Sequence, residues 1–127
     1  MISPEIDALL KTDDETLEMR WLHLADWVQK RFERAATLEG ILFLIGLQER
    51  GKGFEPNIPR HKKEAIIMEG TYCAFETIGL YRRTGMEEDG AWIWERVIPL
   101  PGLNIEAQEK LLRLAVLSHF EQALTDA

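Results

Sequence analysis

Leu17, Trp21, Leu24, Val28 and Phe32 follow one another at steps of four, three, four and four, the repeat of one face of an amphipathic α-helix. Glu18, Arg20, Lys30 and Arg31 fall mostly off that face, so the pattern predicts a helix to about residue 34 with one side buried. Thr12 followed by Glu15 has capping-box spacing and marks its start. Upstream, Ser3-Pro4-Glu5 offers an N-cap, a proline at the first helical position and an acid in the first turn. A short helix over 4–10 is expected there, short enough to fray.

The next segment, 36–50, is apolar on every side from Ile41 to Ile45, and a helix of that kind has to be covered by several neighbours. Gly40 and Gly46 lower its intrinsic propensity, which points to a packing reason such as the close crossing of another helix. Gly51 and Gly53 stop it, and Pro56 and Pro59 make 54–59 a loop. A further helix is predicted over 59–78, where Ile66, Ile67, Tyr72, Cys73, Phe75 and Ile78 again occupy more than one face. These two helices are expected to form the inner layer, with the amphipathic ones outside.

After residue 79 the period changes. Aromatic and β-branched residues flank a turn of Glu, Asp and Gly, which predicts a β-hairpin over about 80–98. A two-residue turn at Asp89-Gly90 places Arg83 opposite Arg96, a like-charge pair that a sheet disfavours. A four-residue loop, Glu87 to Gly90, instead sets Arg82 opposite Glu95, Arg83 opposite Trp94 and Tyr81 opposite Arg96. That register replaces repulsion with one ion pair and two cation–π contacts, each worth roughly 0.5–1 kcal/mol when exposed. Beyond Pro99-Leu100-Pro101-Gly102, Asn104 caps a last helix to about 124, with a stripe of Leu111, Leu112, Ala115, Val116 and Phe120. The fold expected is mainly α: a bundle of four to five helices with one hairpin packed on it, in a single domain over 1–127.

Composition narrows the functional classes. Of 127 residues, 46% are hydrophobic and 29% charged, ordinary for a globular chain. The net charge of -7 repels phosphate backbones and anionic lipid, so neither nucleic acid nor membrane is expected as a partner. Arg60-His61-Lys62-Lys63 is a local basic run whose simpler reading is a solvated helical turn. The acidic amino-terminal stretch is unlike a secretory signal, the apolar run 41–47 is too short to cross a bilayer, and a lone Cys73 forms no internal disulfide. A cytoplasmic location is expected.

No motif in the chain demands catalysis. None of His23, His61 or His119 follows a glutamate at a spacing of three, and zincin spacing is absent. His23 with Glu18 and Asp26 is the nearest approach to a ligand set, and a surface histidine is the simpler account; no metal or cofactor is expected. Gly51-Lys52-Gly53 follows a helix where a phosphate loop follows a strand, so it reads as a helix terminus. Cys73 lies in an apolar helix, where burial silences a thiol. Ser118 and His119 are adjacent and point in different directions. The acids that bracket or enter the inner helices, Glu39, Glu49 and Glu69, are the ones able to form a buried polar cluster.

The sharpest local feature is Trp92-Ile93-Trp94, which on a strand sends both indoles to one face and Ile93 to the other. At about 25 cal/mol per Å² of apolar area, turning the two tryptophans inward is favoured over burying one isoleucine. The alternative is an exposed aromatic patch flanked by Arg82, Arg83 and Arg96, a composition enriched at protein interfaces. The candidate binding residues are accordingly Trp92, Trp94, Arg82, Arg83, Glu69 and Tyr72.

At LIGLQERGKGF, GLY, EEDGAWIW and EAQEKLLRLAVLSHF the chain resembles a family of short uncharacterised bacterial proteins, over about residues 41–120. It departs from that family's pattern at Met68, where the family carries a histidine, and at Ala91, where it carries a proline. The resemblance implies a shared fold and carries over no functional residue. The expected function is that of a small soluble non-enzymatic helical protein working through contacts with another protein or with a copy of itself. The rival expectation is a small-ligand binder or enzyme with a pocket between the inner helices and the hairpin, using Glu69, Tyr72 and the tryptophans.

Overall fold

The computed structural model of the chain describes residues 4–32, 36–49, 60–88, 92–98 and 103–125. Over these the order is α1 (Pro4–Leu10), α2 (Asp14–Phe32), α3 (Leu38–Glu49), α4 (Arg60–Thr77), β1 (Tyr81–Met86), β2 (Trp92–Arg96) and α5 (Ile105–Thr125). The chain is mainly helical, with a two-stranded antiparallel hairpin packed on the helices. The readings made of Ser3, Gly51 to Gly53, the 54–59 loop and Pro99 to Gly102 lie outside the described residues.

Local chemistry sets the helix ends. Asp13, not Thr12, caps α2: the Thr16 amide donates to Asp13 Oδ2 at 3.2 Å and the Leu17 amide to the Asp13 carbonyl at 2.9 Å. Thr12 is still engaged in the turn that ends α1, its amide donating to the Leu9 carbonyl, so the capping residue falls one position later than its spacing suggested. Thr37 caps α3 through the Gly40 amide at 3.0 Å, and Asn104 caps α5 through the Ala107 amide at 2.8 Å. The carboxyl end of α4 closes in a Schellman turn. Leu80 N–H donates to the Phe75 carbonyl and Gly79 N–H to the Glu76 carbonyl, with Gly79 at φ 80°.

The layering differs from expectation in one respect. α5 packs against α1, α2 and α4, whereas the main contact of α3 is with α4. The middle of the molecule is therefore α4 with α5, and α3 is a flank. Leu114, Ala115, Val116 and Leu117 are all buried in succession, so α5 is covered well beyond the single stripe its sequence suggests. Ile41, Leu42 and Ile45 are buried, with Phe43 and Leu44 packed against the cores on their partly covered sides. The close crossing is present and reciprocal. A Cβ on Gly46 would fall on the Ile66 carbonyl oxygen, and one on Gly70 would fall on that of Leu42, so α3 and α4 meet backbone to backbone.

The hairpin has the expected pairs Tyr81 with Arg96, Arg82 with Glu95 and Arg83 with Trp94. Past Arg83 it shifts: Gly85 pairs with Ile93 and Met86 with Trp92, so Thr84 is the extra residue of a bulge. The Thr84 hydroxyl donates to the Ile93 carbonyl at 3.3 Å. A plain four-residue loop would have paired Thr84 with Ile93; the bulge changes how the strands approach residues 89–91, which lie outside the described set. The Leu80 carbonyl accepts from both Val97 and Ile98, tying the entry of the hairpin to its exit.

Candidate functional site

Alternation along β1 and β2 turns Tyr81, Arg83, Trp92 and Trp94 toward the helices, leaving Arg82, Ile93 and Glu95 exposed. Inward, the Arg83 guanidinium meets two carboxylates from different helices. Its Nε donates to both oxygens of Glu76 at 3.1 and 3.0 Å, and Nη1 pairs with Glu49 at the end of α3. Nη2 lies 3.9 Å from Cys73 Sγ. The same group stands 4.8 Å from the Trp92 ring centroid and 5.0 Å from that of Trp94. Trp94 stacks on Tyr72 at 5.6 Å, and Tyr72 meets Tyr81 edge-on at 4.9 Å.

The electrostatics follow from this packing. Cys73 is buried beside Glu49, Glu69 and Glu76; burial first, then those charges, push its thiol up to about 12, with Arg83 pulling the other way. Arg83 itself is held further into its charged state by its hydrogen bonds to Glu49 and Glu76, which outweigh the cost of its burial. From α5, His119 feels Glu49, Arg83 and Glu76, and burial lowers its imidazole below the ordinary value.

Of the residues singled out from sequence, Arg83, Trp92, Trp94 and Tyr72 are brought together, and Glu69, only 8% exposed, lies on α4 among the groups acting on Cys73. Arg82 is not part of this cluster; it pairs with Glu95 at 2.8 Å on the outer face, where both side chains are more than half exposed. Glu39 is exposed in the first turn of α3. Glu76 and His119 were not among the candidate binding residues: the sequence marks Glu76 only as a helical neighbour of Cys73, and His119 was weighed for metal-ligand spacing and as a neighbour of Ser118. Between the inner helices and the hairpin stand the Arg83 side chain, Trp94 and Tyr72. With Nε, Nη1 and Nη2 engaged, Arg83 fastens the hairpin to α3 through Glu49 and to α4 through Glu76.

A different face remains open. Between α2 and α5 runs a groove of about 460 Å³, lined by Met19, Arg20, His23, Leu117, Glu121, Leu124 and Thr125. Met19, on its rim, is 70% exposed; Leu22, 59% exposed, lies on α2 outside the groove lining. Both are apolar residues off the buried stripe of α2, and that offset was the available sequence signal. Among the described residues no group of three His, Cys, Asp or Glu is placed to hold a metal ion, and no helix is long and apolar enough to cross a membrane. Set against family models, curated proteins and solved structures, the chain matches none of them, so the resemblance over 41–120 supplies no family assignment.

Proposed function

We propose that this protein acts without catalysis, by contact with another protein, through the face shared by α2 and α5. The observation that carries this reading is Met19, 70% exposed on the rim of an open groove that has Leu117 and Leu124 among its lining residues. An exposed apolar residue on the rim of a groove between two helices is a feature of helical docking faces. The alternative anchors, Trp92, Trp94 and Arg83, are occupied with one another and with Glu49 and Glu76, which supports a structural role for them.

The test is covalent capture in the cell of origin. With a photoreactive side chain at position 19, on the groove rim, irradiation is expected to give a discrete adduct to a protein, while the same group at the exposed Glu95 gives none. Failure to form any adduct from position 19 overturns the reading.

A further inference from the structure

Resting on that reading, we infer that the occupant of the α2–α5 face is an amphipathic helix of another protein, with acidic residues along one edge of its apolar seam. The groove does not end at His23. A second recess of about 390 Å³, lined by His23, Asp26, Trp27, Lys30 and Arg31, begins at the same histidine, so the two recesses adjoin along α2. At about 100° per residue, Met19, Arg20, His23, Trp27, Lys30 and Arg31 fall within an arc of about 120° on that helix. Leu22 lies outside the arc and takes no part.

Charge decides what fits. In a chain whose net charge is -7, three cations of the adjoining recesses, Arg20, Lys30 and Arg31, face two carboxylates, Asp26 and Glu121. Lys30 is committed to Asp26 at 3.0 Å, and Glu121 stands on the opposite wall, on α5. Arg31 lies 5.4 Å from the centroid of the Trp27 ring, and neither it nor Arg20 forms an ion pair among the described residues. These two guanidinium groups are the positive charge open to a partner. Positions 20 and 31 are separated by about 16 Å along the axis, three helical turns. A helix laid along the recesses meets both if it carries carboxylates about three turns apart on the edge facing α2, with apolar residues between them for Met19, Trp27, Leu117 and Leu124. The negative remainder of the molecule repels such a partner from other approaches, and Asp26 and Glu121 disfavour the unbroken negative charge of a nucleic acid.

Fluorescence anisotropy with the purified full chain and two labelled synthetic peptides of about 18 residues tests the inference. Both peptides place leucine at every third or fourth position; one carries glutamate along an edge of that seam, the other lysine at the same positions. The glutamate peptide is expected to bind saturably below about 1 mM, at least about tenfold tighter than the lysine peptide, and to weaken as salt rises from about 0.05 to about 0.3 M. The double variant Arg20→Glu with Arg31→Glu is expected to lose about tenfold or more of that affinity. Lys62→Glu with Lys63→Glu changes the net charge equally at the start of α4 and is expected to retain it. All four residues are exposed, so the circular dichroism melts of both variants are expected to stay close to that of the native chain. Failure of the glutamate peptide to bind overturns the inference, as does equal binding of the lysine peptide or equal loss in the two double variants. Displacement of the glutamate peptide by an oligothymidylate overturns it too, in favour of a nucleic acid. If position 19 still yields a protein adduct in the cell, any of these results sinks the inference and leaves the proposed function standing. No adduct and no peptide binding together remove both.

Discussion

At Arg83 three kinds of partner meet one guanidinium: the carboxylates of Glu49 and Glu76, the Cys73 sulfur and the faces of two indoles. Removing it leaves two partly buried carboxylates facing each other without their cation, a change that costs 3–5 kcal/mol when such a pair is deeply buried. With about a quarter of Arg83 and of Glu49 still exposed, solvent screening reduces this, and Arg83→Ala is expected to cost about 2 kcal/mol. The urea midpoint measures the loss, and a weakened near-ultraviolet tryptophan signal locates it at the hairpin. His119 gives the pH dependence. Its folded value lies below 6.5, so its contribution to stability is fully present above about 6.5 and is lost as pH falls through the folded value. The difference in urea midpoint between pH 7.5 and 5 is expected to shrink in His119→Gln; an equal difference excludes His119 from that window. Cys73 has the opposite sign. Its raised thiol stabilises the fold below about 9, and that contribution is lost toward 12. At pH 8 the thiol is therefore expected to react with Ellman's reagent only after denaturant is added.

At the scale of elements, α3 and α4 depend on two missing side chains. Gly70→Ala drives a methyl onto the Leu42 carbonyl, a backbone group that can retreat only by separating the helices, so a loss of about 3 kcal/mol is expected in chemical denaturation. Gly46 is legible in sequence as a packing glycine because it interrupts an apolar helix; Gly70 becomes its counterpart only once the two helices are laid together. The hairpin pairing near Tyr81 to Arg83 is legible because one alternative sets two arginines side by side. The bulge at Thr84 is not, since no residue there requires it. In α1, expected to be short enough to fray, Ile6 is fully buried with Leu80 and Leu111, and Leu9 and Leu10 pack beside it. Ile6→Ala is expected to cost 2–4 kcal/mol and to speed amide exchange in α1 before the rest of the chain.

For the whole molecule, the period of the apolar residues is enough to give a helical bundle with a hairpin, because helix and strand repeats differ so plainly on either side of residue 79. What periodicity does not give is rank within the bundle. Glu106, Glu109, Lys110 and Arg113 make α5 read as an outer helix, although Leu114 to Leu117 at its middle are buried in succession. The Arg83 cluster is hidden for a similar reason: Glu49 and Glu76 stand 34 and 7 residues from Arg83, and only the packed fold brings them to one group.

The central place of α5 also bears on how the chain is made. A ribosome delivers α2, with Leu17, Trp21, Leu24 and Val28 uncovered, about ninety residues before it completes the helix that covers them. At ordinary rates of elongation that interval lasts roughly 5 to 20 s. Throughout it the apolar stripe of α2 lacks α5, its main partner, and stays open to a chaperone at the exit tunnel.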